Sequence, residues 1–265
     1  MHEDLARAYE PCRVCNGKLQ TAFRAAVLAD VEATYCICTD CRSLIVPTPH
    51  WLSRSYATEQ HPDPDFGMLR RCLFVHRLLR RMRFVGLLPK RCRSLDYGAG
   101  KGILVRLLLD HGWDAWGYDP IATPLFAEDR ILTELGPGPF DLITMIEVIE
   151  HLRDPVETLE RLRSLLAPGG LLVLSTELFN RAIHSRSWHY LAPEHGQHIT
   201  MLSRKGLRTA AERAGLRWVL SLRFFDIRFL HLLMHRNQQL PRRKLLRLYS
   251  RQRRRESRAR SDRYA

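Results

Sequence analysis

The chain has 265 residues, 45% of them hydrophobic, enough for one full α/β domain plus an appendage. It contains no run of 18 apolar residues and starts with the acidic MHEDLARAYEPC, which excludes a candidate spanning helix and a basic-then-apolar signal peptide and leads us to expect a cytoplasmic protein. The net charge is +14, but twelve Lys/Arg against two acids fall in residues 236–265, so a basic tail is implied and a basic surface over the whole molecule is not.

Residues 1–50 carry most of the seven cysteines. In a reducing compartment these point to metal or buried thiols, not disulfides. CRVC (Cys12, Cys15) and CTDC (Cys38, Cys41) each place two thiolates on one tight turn, and two such turns complete a tetrahedral sulfur site suited to structural zinc. Cys36 competes with Cys38 for a place in the set, but Cys38 keeps the two-residue gap.

Residues 51–92 hold a proline-rich link, HPDPDFG, and an amphipathic helix with Met68, Cys72, Val75, Leu79 and Met82 at alternating spacings of four and three. From 93 to about 235 strand and helix signals alternate. RSLDYG is a strand, KGILVRLLLDHG a helix, WDAWGYD a strand and PFDLITMI a buried strand. PVETLERLRSLLAPGG is a helix stopping at Pro-Gly-Gly, with Asp154 as N-cap, Pro155 in the first turn and Glu157 closing a capping box. LLVLST is a buried strand, SRKGLRTAAERAGL a helix, and RWVLSLRFF follows. The pattern predicts a doubly wound, mostly parallel sheet covered on both faces. Residues 236–265 form a basic tail, with one short apolar cluster, LLRLY, before RQRRRESRARSDR, which reads as disordered; the tail stays solvated, contacts an anionic substrate or rests on an anionic membrane surface.

The loop LDYGAGKG puts Gly98, Gly100 and Gly102 between a strand and a helix, where glycines let a ligand approach the backbone. Asp119 closes the next strand in GYDP, where a carboxylate can accept ribose hydroxyls. LDYGAGKG, GYDP, FDLITMIEVIEHLRDP and LLAPGGLLVLST, in this order, resemble the motifs of class I S-adenosylmethionine-dependent methyltransferases, over about residues 93–220. The nearest likeness is to ubiquinone-type and sugar methyltransferases. The cysteine knuckles followed by PTPHWLSRSYATE, and the segment WHYLAPEHGQHITMLS, resemble parts of the sugar-modifying group. The resemblance implies that Asp96, Gly98 and Gly100 hold the methionine part of S-adenosylmethionine, with Gly102 in the same cofactor-binding loop, that Asp119 binds its ribose, and that Glu147 sits beside it.

EVIEHL, Glu147–Leu152, lies between a strand and a helix at the carboxyl end of the sheet, where open α/β folds bind ligands. Three readings stand side by side. His151 is a general base; Glu147, Glu150 and His151 hold magnesium, as the resemblance to ubiquinone-type enzymes suggests; or the charges cap the loop. His198 in PEHGQHIT is a second candidate base, with His195 beside it. The expectation is methyl transfer to a polar small molecule, a hydroxyl of a sugar, nucleotide sugar or related metabolite. The alternatives are an RNA-modifying methyltransferase that uses the zinc module and tail for binding, and a non-catalytic binding protein.

Overall fold

The computed structural model describes residues 9–57, 66–222, 230–239 and 243. The beginning of the proline-rich link and most of the basic tail lie outside the described residues.

Two sheets organise the chain. The first begins with a hairpin, β1 (Leu19–Val27) and β2 (Val31–Cys38), followed by the short β3 (Leu44–Ile45). Helices α1 (Leu52–Ala57) and α2 (Phe66–Phe84) follow. The second sheet then builds up from β4 (Arg93–Tyr97), α3 (Ile103–Leu109), β5 (Asp114–Tyr118), β6 (Ile131–Leu132), β7 (Phe140–Ile146), α4 (Pro155–Leu165) and β8 (Leu166–Ser175). A two-residue strand, β9 (Thr200–Met201), precedes α5 (Arg204–Arg213), β10 (Leu216–Leu222) and β11 (Leu230–His235).

The seven-stranded sheet has the order β10-β11-β8-β7-β4-β5-β6. Strands β8, β7, β4, β5 and β6 run parallel, and β11 slots in antiparallel between β8 and β10. Strands this buried carry apolar side chains on both faces. Along β7, Leu142 joins a core with Val75, Leu79 and Met82 of α2 and Leu104 and Leu108 of α3. Ile143 joins the opposite core with Leu159 and Leu162 of α4 and Leu207 of α5. The stripe read from α2 therefore packs against the sheet, and the helix belongs with that layer. Truncating a fully buried leucine such as Leu79 costs about 2–5 kcal/mol.

The chain leaves β4 toward β5 on one side, while β7 lies on the other. This divergence opens a crevice at the carboxyl ends of β4 and β7, where the glycine loop and EVIEHL both fall.

Two local expectations change, and one long-range pairing joins them. Pro-Gly-Gly does not end α4: α4 stops at Leu165, and Ala167–Gly170 is already part of β8. Asp154 occupies the N-cap position without a side-chain capping bond, and Pro155 begins the helix. The cysteine-bearing segment does not close its own sheet either. Its last strand, β3, pairs antiparallel with β9, through Leu44 with Met201 and Ile45 with Thr200, so about 155 residues later the chain returns to complete it.

Candidate functional site

The four predicted cysteines meet. Cys12, Cys15, Cys38 and Cys41 bring their sulfurs within 4.8 Å of one another, with Cys12–Cys41 at 3.7 Å and Cys15–Cys38 at 3.4 Å. A zinc–sulfur bond of about 2.3 Å places the sulfurs of a tetrahedral site about 3.8 Å apart, so this all-thiol set fits zinc. Cys36 is buried outside the cluster. The turns are fixed by their backbones. Cys15 and Asn16 donate to the carbonyl of Cys12, and Arg42 donates to that of Cys38. Asn16 and Arg42 adopt the left-handed conformation that such turns require.

At the crevice the chain encloses a cavity of about 420 Å³. Gly98, Gly100, Asp119, Glu147 and His151 all line it. Gly98 has φ +76°, and a Cβ there would lie 2.4 Å from a methyl of Val148, so only glycine lets EVIEHL close over the loop. The Cβ position of Gly100 meets nothing within 4 Å, which leaves the loop open toward the cavity. Gly102 serves instead as the left-handed N-cap of α3, against the carbonyl of Phe126. Asp119 accepts backbone N–H groups from Gly100 at 2.9 Å, Ile121 at 2.9 Å and Ala122 at 2.8 Å. It thereby ties the glycine loop to the end of β5.

Asp96, Gly102 and His198 stand behind the described cavity wall. Asp96 is buried under the glycine loop and accepts from the Thr144 hydroxyl at 2.6 Å, because Asp96 and Thr144 are register partners on β4 and β7. Burial pushes its carboxyl up to about 7, helped by Asp119 and opposed by the Thr144 bond.

EVIEHL turns sharply out of β7. Glu147 holds φ +54°, a strained conformation for a side chain of its size. Its N–H donates to both the carbonyl and the hydroxyl of Ser175, and the Ser175 hydroxyl in turn donates to Glu147 Oε1 at 2.5 Å. Residues Ile149–His151 then form one 3₁₀ turn. Glu150 is fully buried; burial, with the Glu147 charge, pushes its carboxyl up to about 8. The Tyr190 hydroxyl sits 2.6 Å from Glu150 Oε1 and 3.0 Å from Glu147 Oε2 and donates its single proton to one of them at a time.

Both candidate histidines come to this turn. Their rings stand edge to face with centroids 4.8 Å apart. His198 Nδ1 donates to the Tyr190 carbonyl, which leaves its Nε2 as an acceptor. His151 Nδ1 lies 3.3 Å from the Tyr56 hydroxyl. Burial, then the neighbouring His198, pushes His151 down to about 3, so it is neutral across the working range. The group whose ligand atoms converge is Glu150, His151 and His198, which corrects the magnesium expectation. Glu147 is engaged by Ser175 and Tyr190, and two imidazoles with one carboxylate make a nitrogen-rich set unlike the all-oxygen shell magnesium prefers.

Residues the sequence did not single out hold this arrangement together. The Thr200 hydroxyl donates to the carbonyl of Leu152 at 2.8 Å and accepts from Arg13 at 3.2 Å. Ile199 N–H donates to the carbonyl of Glu150, and Val46 N–H to that of Ile199. The Ser203 hydroxyl donates to the Cys41 carbonyl. The knuckles are thus stitched to the histidine turn through β9. No local pattern marks Arg13 or Thr200, because their partners lie far away in sequence; Ser203 is marked locally only as the N-cap of α5.

Comparison with known proteins bears on the family and the fold. A ubiquinone biosynthesis O-methyltransferase from Colwellia psychrerythraea is 32% identical over 117 residues, covering 38% of this chain and 47% of that enzyme. One from Caulobacter sp. is 37% identical over 103 residues, covering 32% and 40%. The chain spans less than half the length of these two relatives. The crystal structure of Burkholderia thailandensis 1,6-didemethyltoxoflavin-N1-methyltransferase superimposes with a TM-score of 0.51 at 18% identity, covering 74% of this chain and 96% of that one; at this identity the likeness concerns the fold. The methyltransferase-domain family matches residues 70–221, more than half of the chain, and the chain belongs to that family.

Proposed function

We propose that the protein transfers a methyl group from S-adenosylmethionine to a hydroxyl of a small molecule bound in the 420 Å³ cavity. The observation that carries this reading is one cavity lined on one side by the open glycine loop and Asp119 and on the other by a neutral histidine, His151. Bound there, the cofactor would supply an electrophilic methyl group. The glycine loop would accept its amino-acid part against bare backbone, and the Asp119 carboxylate, already oriented by three N–H donors, would take ribose hydroxyls. Glu147 would face it from the end of β7.

On the acceptor side His151 is the group to remove the hydroxyl proton, since it lines the cavity while His198 stands behind it. If the Tyr56 oxygen accepts the His151 Nδ1–H, Nε2 is left free to take that proton. The wall around it holds the acceptor in place.

The acceptor expectation shifts from a sugar. Tyr56, Met68, Tyr97, Ile121, Val148 and Leu152 give the cavity an aromatic and aliphatic wall. Such a wall suits an acceptor with an aromatic or otherwise apolar body better than a densely hydroxylated ring. The matching relatives are named as ubiquinone O-methyltransferases, not sugar enzymes.

Calorimetry with S-adenosylmethionine, followed by transfer of its labelled methyl group to matched panels of phenols and sugars, tests the reading. Saturable cofactor binding and labelling of phenols are expected. No cofactor binding by the folded protein would remove the proposal, and labelling of sugars alone would restore the original acceptor expectation.

A further inference from the structure

Beside the main cavity lies a second, polar pocket of about 180 Å³, at the seam between the knuckles and the histidine turn. Arg13, Arg153, Glu10 and Asp154 contribute its polar side chains. Arg153, two residues after His151, lines both cavities, so the two adjoin at this residue.

Both arginines are held in place by neutral acceptors. Arg13 sits inside the first knuckle, with Nη1 donating to Thr200 Oγ1 and Nη2 to the carbonyls of Val46 at 2.8 Å and Pro47 at 3.2 Å. Arg153 donates to the carbonyl of Pro49 at 3.1 Å. Among the described residues, neither makes an ion pair. Arg13 is half-buried and Arg153 is exposed; a half-buried guanidinium without an ion-pair partner is unusual, since desolvated charges are ordinarily paired. Burial and then the charge of Arg153 push Arg13 below its usual range, opposed by the charges of Asp154 and Glu10 at the same pocket. Glu10 and Asp154 also face the pocket, but both are solvent-exposed, keep out of ion-pair contact and can remain hydrated at its rim. Asp154 has no capping bond to hold its carboxylate inward.

We infer that Arg13 and Arg153 form an anion subsite that binds a carboxylate or phosphate group carried by the methyl acceptor. This deepens the proposed function and rests on the acceptor lying in the main cavity. Arg153 spends one N–H on the Pro49 carbonyl and keeps a pair of donors for such a group, while Arg13, its Nη2 engaged by Val46 and Pro47, adds charge beside it. An acceptor with its hydroxyl at His151 and its apolar body along Tyr56 and Leu152 would reach Arg153 with an anionic substituent. The subsite then selects for an acidic hydroxylated acceptor.

The test uses the full chain with Arg153→Gln, Arg153→Lys and, as a charge-matched control on the exposed face of α5, Arg208→Gln. Near-ultraviolet circular dichroism checks folding. Arg153 spends one described hydrogen bond on Pro49, so the variants are expected to fold. Pyrophosphate titrated at constant ionic strength should bind saturably to the wild type, about tenfold more weakly to Arg153→Gln, at an intermediate level to Arg153→Lys, and unchanged to Arg208→Gln. Equal losses in Arg153→Gln and Arg208→Gln, or no saturable binding, would overturn the subsite and leave diffuse basic charge as the explanation.

A second arm compares a hydroxybenzoate with its uncharged hydroxybenzamide. Preference for the acid that disappears in Arg153→Gln assigns the anion to the acceptor. Pyrophosphate binding without such a preference assigns the pocket to a free inorganic anion and overturns the acceptor claim. S-adenosylmethionine affinity measured on the same samples separates the two levels. If it is absent while the Arg153 effect on pyrophosphate stands, the methyltransferase reading and the acceptor claim fail together and a bare anion pocket remains; if it is present while Arg153→Gln behaves like Arg208→Gln, only the subsite fails.

Discussion

His151 and His198 stand edge to face, 4.8 Å between ring centroids and 82° between planes, with His151 toward the cavity and His198 held behind it by the Tyr190 carbonyl. This asymmetry separates the two residues in function. His151→Gln is expected to lower turnover by about 10²–10⁴-fold, while S-adenosylmethionine affinity is retained. His198→Gln should cost less, since it removes a support and not the base. Steady-state kinetics beside cofactor calorimetry checks both, and equal losses would place the base elsewhere.

The same burial gives His151 a signature in pH. Its folded value of about 3 lies below the ordinary histidine value, so the unfolded chain binds the additional proton between about 3 and 6.5. Stability from this group is therefore intact above about 6.5 and is lost as pH falls through that window. Denaturant unfolding at pH 7 and pH 4.5 should show a smaller drop in His151→Gln than in the wild type.

Glu150 works in the opposite direction. Its raised value, about 8, means that the folded chain holds a proton the unfolded chain has released above the ordinary glutamate range. The buried carboxyl therefore costs progressively more stability from about pH 4.5 up to about 8. Glu150→Gln should raise the melting temperature at pH 8.5 relative to pH 5.5. A gain of equal size at both values would show that ionisation is not the cause.

One zinc per chain is expected by elemental analysis, and Cys36→Ser should keep it. Because Ser203 and Arg13 connect the knuckles to β9, stripping the metal should expose the segment around Thr200 to hydrogen exchange. Unchanged protection there would show that the knuckles do not support the histidine turn.

Thr200→Val removes a hydroxyl that serves both Leu152 and Arg13 and leaves a carbonyl acceptor short of a donor, at a cost of about 1–3 kcal/mol. Thr200→Ser should restore most of that loss. Thermal unfolding of the pair is the measurement, and equal destabilisation by both would assign the effect to packing of the methyl group.

Asp119→Ala should weaken S-adenosylmethionine binding by about 1–3 kcal/mol. Because Asp119 also holds Gly100 through Oδ2 and Ile121 and Ala122 through Oδ1, Asp119→Asn gives a closer comparison: its amide oxygen can keep the Ile121 and Ala122 bonds while the charge and the acceptor for Gly100 are lost. Calorimetry that finds wild-type affinity in both would place the ribose partner elsewhere.

Much of the fold was legible because its signals are local. The α2 stripe of Val75, Leu79 and Met82, the apolar run of β7 and the turn pairs of the knuckles each declare themselves within a few residues. The failures were local patterns overruled by neighbours. Pro-Gly-Gly reads as a helix stop, yet Phe140 pairs with Leu166 and draws the chain into β8 before those glycines are reached. Asp154 reads as a cap, but its side chain makes no capping bond and faces the polar pocket.

By itself the sequence determined which residue types could do chemistry: four spaced thiols, three loop glycines, a strand-end aspartate and the EVIEHL turn, since turn geometry and strand–loop–helix order depend on residues close together in the chain. Only the tertiary structure decided which of them share a space. It put His151 at the cavity and His198 behind it, withdrew Asp96 beneath the glycine loop, engaged Glu147 with Ser175 and Tyr190, and set Arg13 of the first knuckle against Arg153. Those relationships depend on β3 pairing with β9 and β4 with β7, contacts between distant segments whose register is set by packing of the whole core and leaves no mark in either segment alone.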